Sequence, residues 1–417
     1  EMTREYLNLV PVEWPLYARN PERNVQVGGK IMLVVPGYGS PFISDSDGRR
    51  RNANLKDLEN FVLMACNSPE IDVTGGLLVE PNDISLNVRP LEVTRILVTN
   101  SDKPFMGSVA GKEGAKESIE IARIVFGDIE SKPCMIGLIN INSPLRLGSQ
   151  MAEALIEYVN ASQPVLLTPG ILMAMTAPVT VVGAMVQAYA ELLGCIVATQ
   201  VLKPGVPVVA GIGGFGSDLR NCGPGFGRPE NALGIQLGAE IARRLKIPFR
   251  CSAAVTGSRR PDCRSGYERM MTALTAYNAG AHFCLQAAGI LDSIKMMSYE
   301  QYVIDLEIWA YIKRFAKSTK VDTESLAVDV IKDNANGLLS HDHTIKHMRD
   351  QLYAPALAVP DSYEDWWASN GPDAVARASE RVREMLDNIK KPPIDETVSR
   401  DLENYVVRRR KVLEGVA

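Results

Sequence analysis

From Ile71 onward, short runs of apolar, mostly β-branched residues alternate with longer stretches whose apolar positions recur every three or four residues. "IDVTGGLLVE" precedes "RPLEVTRILVTN", "KPFMGSVAG" precedes "KEGAKESIEIARIVFG", and "KPCMIGLININ" precedes "LGSQMAEALIEYVNA". "PVLLTPG" then precedes "TVVGAMVQAYAELLGCIVATQVL", "VPVVAGIGG" precedes "PENALGIQLGAEIARRL", and "PFRCSAAVTG" precedes "GYERMMTALTAYNAG". "HFCLQAAG" before "SYEQYVIDLEIWAYIKRFA" and the short "NGLLS" before "DHTIKHMRD" complete eight strand-then-helix units. The runs are apolar on both faces, as in a parallel sheet covered on both sides, and eight units predict a closed (β/α)8 TIM barrel of the α/β class. The predicted strands lie near 71–80, 104–109, 133–140, 164–168, 206–212, 248–254, 281–286 and 337–340. Upstream, "GGKIMLVVPGYGSPFISDSDGRR" reads as a hairpin lid, and "PDAVARASERVREMLDNIKK" and "VSRDLENYVVRRRKVL" as helices packed outside. The expectation is one domain: a lead-in and lid over 1–70, the barrel over 71–350 and C-terminal helices over 351–417.

Composition narrows the partners. With 45 Lys and Arg against 49 Asp and Glu, the net charge of -4 offers no electrostatic reason to expect nucleic acid or an anionic membrane. Seven scattered cysteines, most inside apolar runs such as "LLGCIVA", read as reduced core residues of a cytoplasmic protein, and none has CxxC spacing. No uninterrupted apolar run reaches the ~20 residues of a membrane span, and no signal-peptide pattern opens the chain, which starts abruptly at "EMTREYLNLV". Apolar positions on the exterior helices are consistent with a homo-oligomer.

In this fold chemistry sits in the loops that follow the C-terminal ends of the strands. The loop after the fifth predicted strand, "GIGGFGSDLRNCGPGFGRPENALG", is rich in glycine and carries Asp218, Arg220, Phe215 and Phe226. It lacks the Lys-Ser/Thr ending of a P-loop, and no helix follows "GIGGFG" promptly enough to aim its amides at a pyrophosphate. A plain surface loop is the bland reading, but loops this long are more often functional than idle.

Together "SDLRNCGPGFGRPENAL", "TAPVTVVGAMVQAYAELLGCIVATQVLKPGVPV", "PDCRSGYE", "SYEQYVIDLEI", "DHTIKHMRDQLYAP" and the early "GGKIMLVVPGYGSPF" resemble the trimethylamine methyltransferase (MttB-like) family of corrinoid-dependent methyltransferases, in order and over nearly the whole chain. The resemblance implies a barrel whose mouth admits a methylated amine and the corrinoid of a separate small protein. The family's archetype carries pyrrolysine for trimethylamine. This chain has only standard residues, which implies a quaternary amine, most simply glycine betaine, with proline betaine and carnitine as alternatives. It also implies no tightly bound cofactor: the corrinoid (cobalamin) belongs to the cognate corrinoid protein.

A quaternary ammonium cannot hydrogen-bond, so its expected site is aromatic faces, and Tyr38, Phe42, Phe215, Phe226 and Tyr267 are the candidates. A carboxylate tail wants an arginine, and Arg220 and Arg228 lie in the glycine loop beside Asp218. Gly213, Gly214 and Gly227 would leave space for a planar macrocycle. His343 in "HDHT" matches a family histidine at the barrel mouth and is the candidate catalytic or corrinoid-contacting residue; a helix-start histidine is the alternative. The "HDH" cluster lacks partners at metal-site spacing, so no metal is expected. Glu80, Asn140 and Asn142 at strand ends are expected to face the site. Asp305 and Glu307 are structural first, and Asp262 and Glu268 are either mouth residues or partners of Arg259 and Arg260. A Schiff-base aldolase or lyase would need a lysine at a strand end, and none stands there. A non-catalytic amine-binding barrel is the reading from a different class.

Overall fold

The computed structural model describes residues 2–45, 47–220, 222–332 and 337–415. Its centre is a seven-stranded parallel sheet whose strands neighbour one another in the order Leu33–Val34, Phe283–Leu285, Phe249–Ser252, Val208–Ile212, Val165–Pro169, Met135–Ile141 and Phe105–Gly107. The two edges meet through the segment 72–75: Asp72 N donates to Val34 O (2.9 Å) on one side, while Thr74 N donates to Pro104 O (2.9 Å) and Gly75 O accepts from Met106 N (2.7 Å) on the other. An eighth staggered segment therefore closes the ring, leaving no open edge.

The expected eightfold alternation is present, but its count is shifted by one unit. "MLVV", assigned to the lid from sequence, supplies the strand Leu33–Val34, pairs in parallel with Phe283–Leu285 and is followed by the helix Leu55–Asn67. Gly337 to Ser340, expected as the eighth strand, form an exposed turn with Leu339 90% exposed. Four residues with nothing apolar to pair against cannot hold an extended ladder. The segment 71–80, expected as the first strand, forms no regular strand: it bends at residues 72 and 73, bonds to both neighbours over 72–75, and turns away at Gly75, which takes φ +90°.

Alternation of side chains sends Leu33, Val35, Val73, Met106, Ile136, Leu138, Leu166, Val209, Phe283 and Leu285 into one interior cluster. Trp14, Leu16 and Val27 of the antiparallel hairpin Glu13–Leu16 with Val25–Gly28 join that cluster. Tyr17 N bonds Pro133 O (2.7 Å), just before the strand Met135–Ile141, so this hairpin plugs the end where strands begin. At the other end a four-stranded sheet forms over the mouth from Phe42–Ser44, Arg50–Asn52, Ile290–Leu291 and Met296–Met297. That sheet is the part of the predicted lid that does lie over the mouth.

The helices form the outer layer. Val181–Leu202 is long and apolar enough to cross a bilayer, yet its polar residues turn inward. Glu191 accepts from Ser143 Oγ (2.6 Å) and Leu145 N (3.0 Å), and Gln200 Nε2 donates to Val206 O (2.8 Å). The C-terminal helix Glu396–Leu413 packs outside, where Arg409 and Arg410 pair with the buried Glu117 and Glu92.

Candidate active site

Above the apolar interior, the next inward positions at the strand ends are polar. They are Asn140, Thr168 and Arg250, with Tyr38, Gly211, Gly213 and Gln286 around them. Arg250 is 2% exposed and sits in a strand otherwise made of Phe249, Cys251 and Ser252. Its Nη2 donates to Gln286 Oε1 (3.1 Å), which also accepts from Ser252 Oγ. Among the described residues its Nε and Nη1 have no hydrogen-bond partner, and neither has Thr168 Oγ1 in the neighbouring wall. Burial pulls the Arg250 guanidinium down to about 10, so it stays cationic at neutral pH. Glycine is required beside it: a methyl on Gly213 would lie 2.9 Å from Arg250 Nη1, and one on Gly211 would lie 2.6 Å from Thr168 Oγ1.

At the rim, the Tyr38 ring lies over Gly76, where any side chain would meet its Cε2 at 2.9 Å. Burial, then the neighbouring Glu80 carboxylate, push its phenol up to about 12. Glu80 lies 3.6 Å from Arg89 and is partly exposed. Asn140 is exposed into the mouth, and Asn142 is exposed on the following loop, its backbone bonded both ways to Arg146. Phe42 lies in the mouth sheet, but the Arg50 guanidinium covers its face at 4.3 Å from the ring centre.

The glycine-rich loop is built differently from the expectation. Phe215 is wholly buried in the main core, pressed against Gly234 of the helix Pro229–Leu245, so its ring is a packing element and not a ligand surface. Phe226 is 7% exposed and packs on Gly214. Gly227 takes φ +84° and lies against the Glu268 carboxylate. Thus Gly213, Gly214 and Gly227 admit Arg250, Phe226 and Glu268 of the same chain, in place of the open space expected for a macrocycle. Arg220 and Arg228 both pair with Asp218, Arg220 at 2.9 Å, and that pairing holds the Asp218 carboxyl well below its usual range. With Arg220 84% exposed at its side chain, neither arginine waits unpaired for a carboxylate. Tyr267 is 60% exposed on the helix Cys263–Ala279 and contributes no wall.

His343 does not reach the mouth. It lies on the helix Asp342–Gln351, with its ring 4.5 Å from His347 and its Nε2 3.3 Å from Glu324 O. Arg314, at the far end of the helix Tyr299–Ala316, bonds Gln351 O, while Lys313 beside it reaches Pro69 O and Glu70 O where the strands begin. Cavities of about 410 Å³ beside Lys103 and about 340 Å³ beside His343 share that end of the barrel. Among the described residues no group of three or more His, Cys, Asp or Glu is placed to hold a metal.

The acidic residues serve the scaffold. Asp305 and Arg269, both 0% exposed, pair at 2.7 Å, and Asp305 also accepts from Gly289 N (2.7 Å) and Gln301 Nε2 (3.0 Å). Glu307 accepts from the amides of Ala356 and Leu357. Glu268 pairs with Arg264 and accepts from Thr256 Oγ1 and Gly257 N, fixing the loop after Phe249–Ser252, and Asp262 caps the helix Cys263–Ala279. Arg259 pairs instead with Asp292 at 3.5 Å. Sequence reasoning missed Arg250 and Thr168. The available signal was a lone arginine inside the apolar run "PFRCSAAV", a position where a charge is costly without a purpose.

Residues 1–414 match the family described as trimethylamine methyltransferase (MTTB). A glycine betaine methyltransferase of Desulfitobacterium hafniense (strain Y51) is 37% identical over 419 residues, 98% of this chain and 87% of that protein. A proline betaine:corrinoid methyltransferase of Eubacterium limosum is 26% identical over 392 residues, 90% of this chain and 80% of its own length. The monomethylamine methyltransferase MtmB of Methanosarcina barkeri has a TM-score of 0.54 at 11% identity, covering 94% of this chain and 80% of that one, a likeness of fold alone.

Proposed function

The chain belongs to the trimethylamine methyltransferase (MTTB) family, and from that membership we propose that it moves a methyl group from a quaternary amine, glycine betaine, to the Co(I) of a corrinoid carried by a separate protein, releasing dimethylglycine. The observation that carries this reading is the likeness, over 98% of the chain, to a protein named for that substrate. Corrinoid is named as acceptor for relatives that use proline betaine and carnitine.

The chemistry agrees with the residues at the mouth. A quaternary ammonium leaves as a neutral amine, so no acid catalyst and no covalent adduct are required. Lys103, the buried lysine that burial pulls down to about 8, is at the wrong end for an adduct, bonded to the carbonyls of Ala65, Ser68 and Ile71 where the strands begin. The corrinoid supplies the nucleophile. The protein's task is to hold the amine in line with it and exclude water. Tyr38 supplies an aromatic face beside the negative Glu80, a suitable neighbour for an ammonium group. Exposed Leu145, Met175 and Val179 on the loops around the mouth offer apolar surface to the flat face of a macrocycle and to its carrier.

The test is a panel of glycine betaine, proline betaine, carnitine, choline and trimethylamine, incubated with a corrinoid protein reduced to Co(I) and followed by the methyl-cobalt absorbance. Glycine betaine should be turned over well and trimethylamine poorly. Equal turnover of the two would refute the assignment, and amine binding without methyl transfer would make this a binding barrel.

A further inference from the structure

We infer that Arg250 and Thr168 form a carboxylate-binding subsite at the floor of the mouth, so that the substrate class is zwitterionic betaines that enter carboxylate first. This names the substrate class for the methyl transfer proposed above and rests on that reading.

Among the described residues two arginines are buried to 2% exposure or less, Arg250 and Arg269, and they differ in what balances their charge. Arg269 has its own carboxylate, Asp305, at 2.7 Å and also donates to Ser265 Oγ and Ala254 O, which leaves Nη2 as its one unpaired nitrogen among the described residues; what separates the two is the counter-charge. Arg250 is almost as deeply buried, yet its side-chain partner is the neutral amide of Gln286, and among the described residues its Nε and Nη1 have no hydrogen-bond partner. A buried cation without a counter-charge is costly, and buried polar groups are as a rule paired. Arg250 is the second residue of its strand but pairs in register with Gly211, near the end of Val208–Ile212, so its unpaired donors lie on the side of the apolar interior where this fold keeps its ligands and identify a place that a ligand completes. Thr168 makes the same point independently: the residue is 5% exposed, and its buried hydroxyl has no partner among the described residues and is bordered by Gly211, where Arg250 also lies.

The stoichiometry favours a carboxylate. One guanidinium and one hydroxyl balance a single negative charge with two oxygens, whereas a phosphate dianion would leave charge and acceptors unmatched. The guanidinium is held in place, since Gln286 Oε1 takes Nη2 and is itself fixed by Ser252 Oγ. The wall beside it is glycine at 211 and 213, and the missing side chains leave room for Arg250 and Thr168 to lie side by side. Charge is also ordered along the mouth: the cation lies deep, and Glu80 lies at the rim next to Tyr38. A betaine fits that gradient in one orientation, with its anion down and its methyl groups facing the opening from which the acceptor must come.

The test uses calorimetry at neutral pH with glycine betaine and tetramethylammonium on the wild-type protein, Arg250→Met and Thr168→Val. Arg250→Met should weaken glycine betaine at least tenfold and Thr168→Val severalfold, with tetramethylammonium bound equally by all three. Equal weakening of both ligands in the variants would overturn the subsite. Thr168→Val keeps shape and volume and carries the comparison if Arg250→Met does not fold. Acetate supplies a readout without an amine: it should raise the melting temperature of the wild type and not of Arg250→Met. Acetate protection that depends on Arg250 supports the subsite even if the panel of amines rules out methyl transfer, while protection that is absent or equal in both proteins rules the subsite out.

Discussion

Phe215 was expected to meet the ligand and instead packs in the core, which makes a quantitative prediction about the glycine-rich loop. Its ring is fully buried, and a methyl group added at Gly234 would lie 2.6 Å from its Cγ, 2.8 Å from its Cβ and 2.9 Å from its Cδ1. Phe215→Ala removes the ring from a site that cannot collapse without moving the helix Pro229–Leu245, so it should cost about 3–5 kcal/mol. Gly234→Ala alone gains about 1 kcal/mol of helix propensity but forces overpacking worth about 1–3 kcal/mol, so it should be neutral to mildly destabilising. In the double variant two of the three closest atoms are gone, and the new methyl needs only a small shift of Cβ into the vacated space. Gly234→Ala should then become stabilising, and the double variant should be less destabilised than the sum of the singles by about 1–2 kcal/mol. Urea unfolding followed by tryptophan fluorescence and circular dichroism measures this, the agreement of the two probes licensing two-state treatment. Additivity within about 0.5 kcal/mol, or a tenfold loss of glycine betaine affinity in folded Phe215→Ala, would refute the core assignment.

Arg220→Ala should leave the KM for glycine betaine within about twofold, because the side chain is exposed and already paired with Asp218; a tenfold rise in steady-state KM would return the carboxylate grip to this loop. Stability should depend on pH through Asp305, whose carboxyl burial pushes up to about 7 against the opposing pull of Arg269. Because the folded value lies above the unfolded one, the native state holds this proton more tightly. The stability it contributes is complete below the usual carboxylate range and is lost as pH rises through about 7, with a slope of at most about 1.4 kcal/mol per pH unit. Unfolding free energies measured from pH 5 to 8 should show that decline in the wild type and not in Asp305→Asn, and parallel profiles would contradict it.

Periodicity was enough to establish the class of fold. Short, β-branched apolar runs such as "KPCMIGLININ" and "VPVVAGIGG" read as strands covered on both faces because the stretches between them carry helical spacing, so the β/α alternation followed without coordinates. The order of residues in the resembling motifs likewise carried the family, which the match over residues 1–414 shows. What local pattern could not decide was which runs pair. "MLVV" and "GLLS" are both short and apolar, and only the partner at Phe283–Leu285 makes the first a barrel strand, while the second finds none. The candidate site depended still more on tertiary contact. Arg220 and Arg228 look free in sequence until Asp218 is seen folded against both, and Phe215 and Phe226 look like ligand surfaces until Gly234 and Gly214 are seen beneath them. Arg250, ten residues or more from every acidic side chain preceding it in the chain, shows its missing counter-charge only when the barrel is closed around it. Hydrophobic spacing is a property of neighbours along the chain, so sequence determines elements; whether a charge is paired or a ring is covered is a property of neighbours in space, and that the closed barrel alone decides.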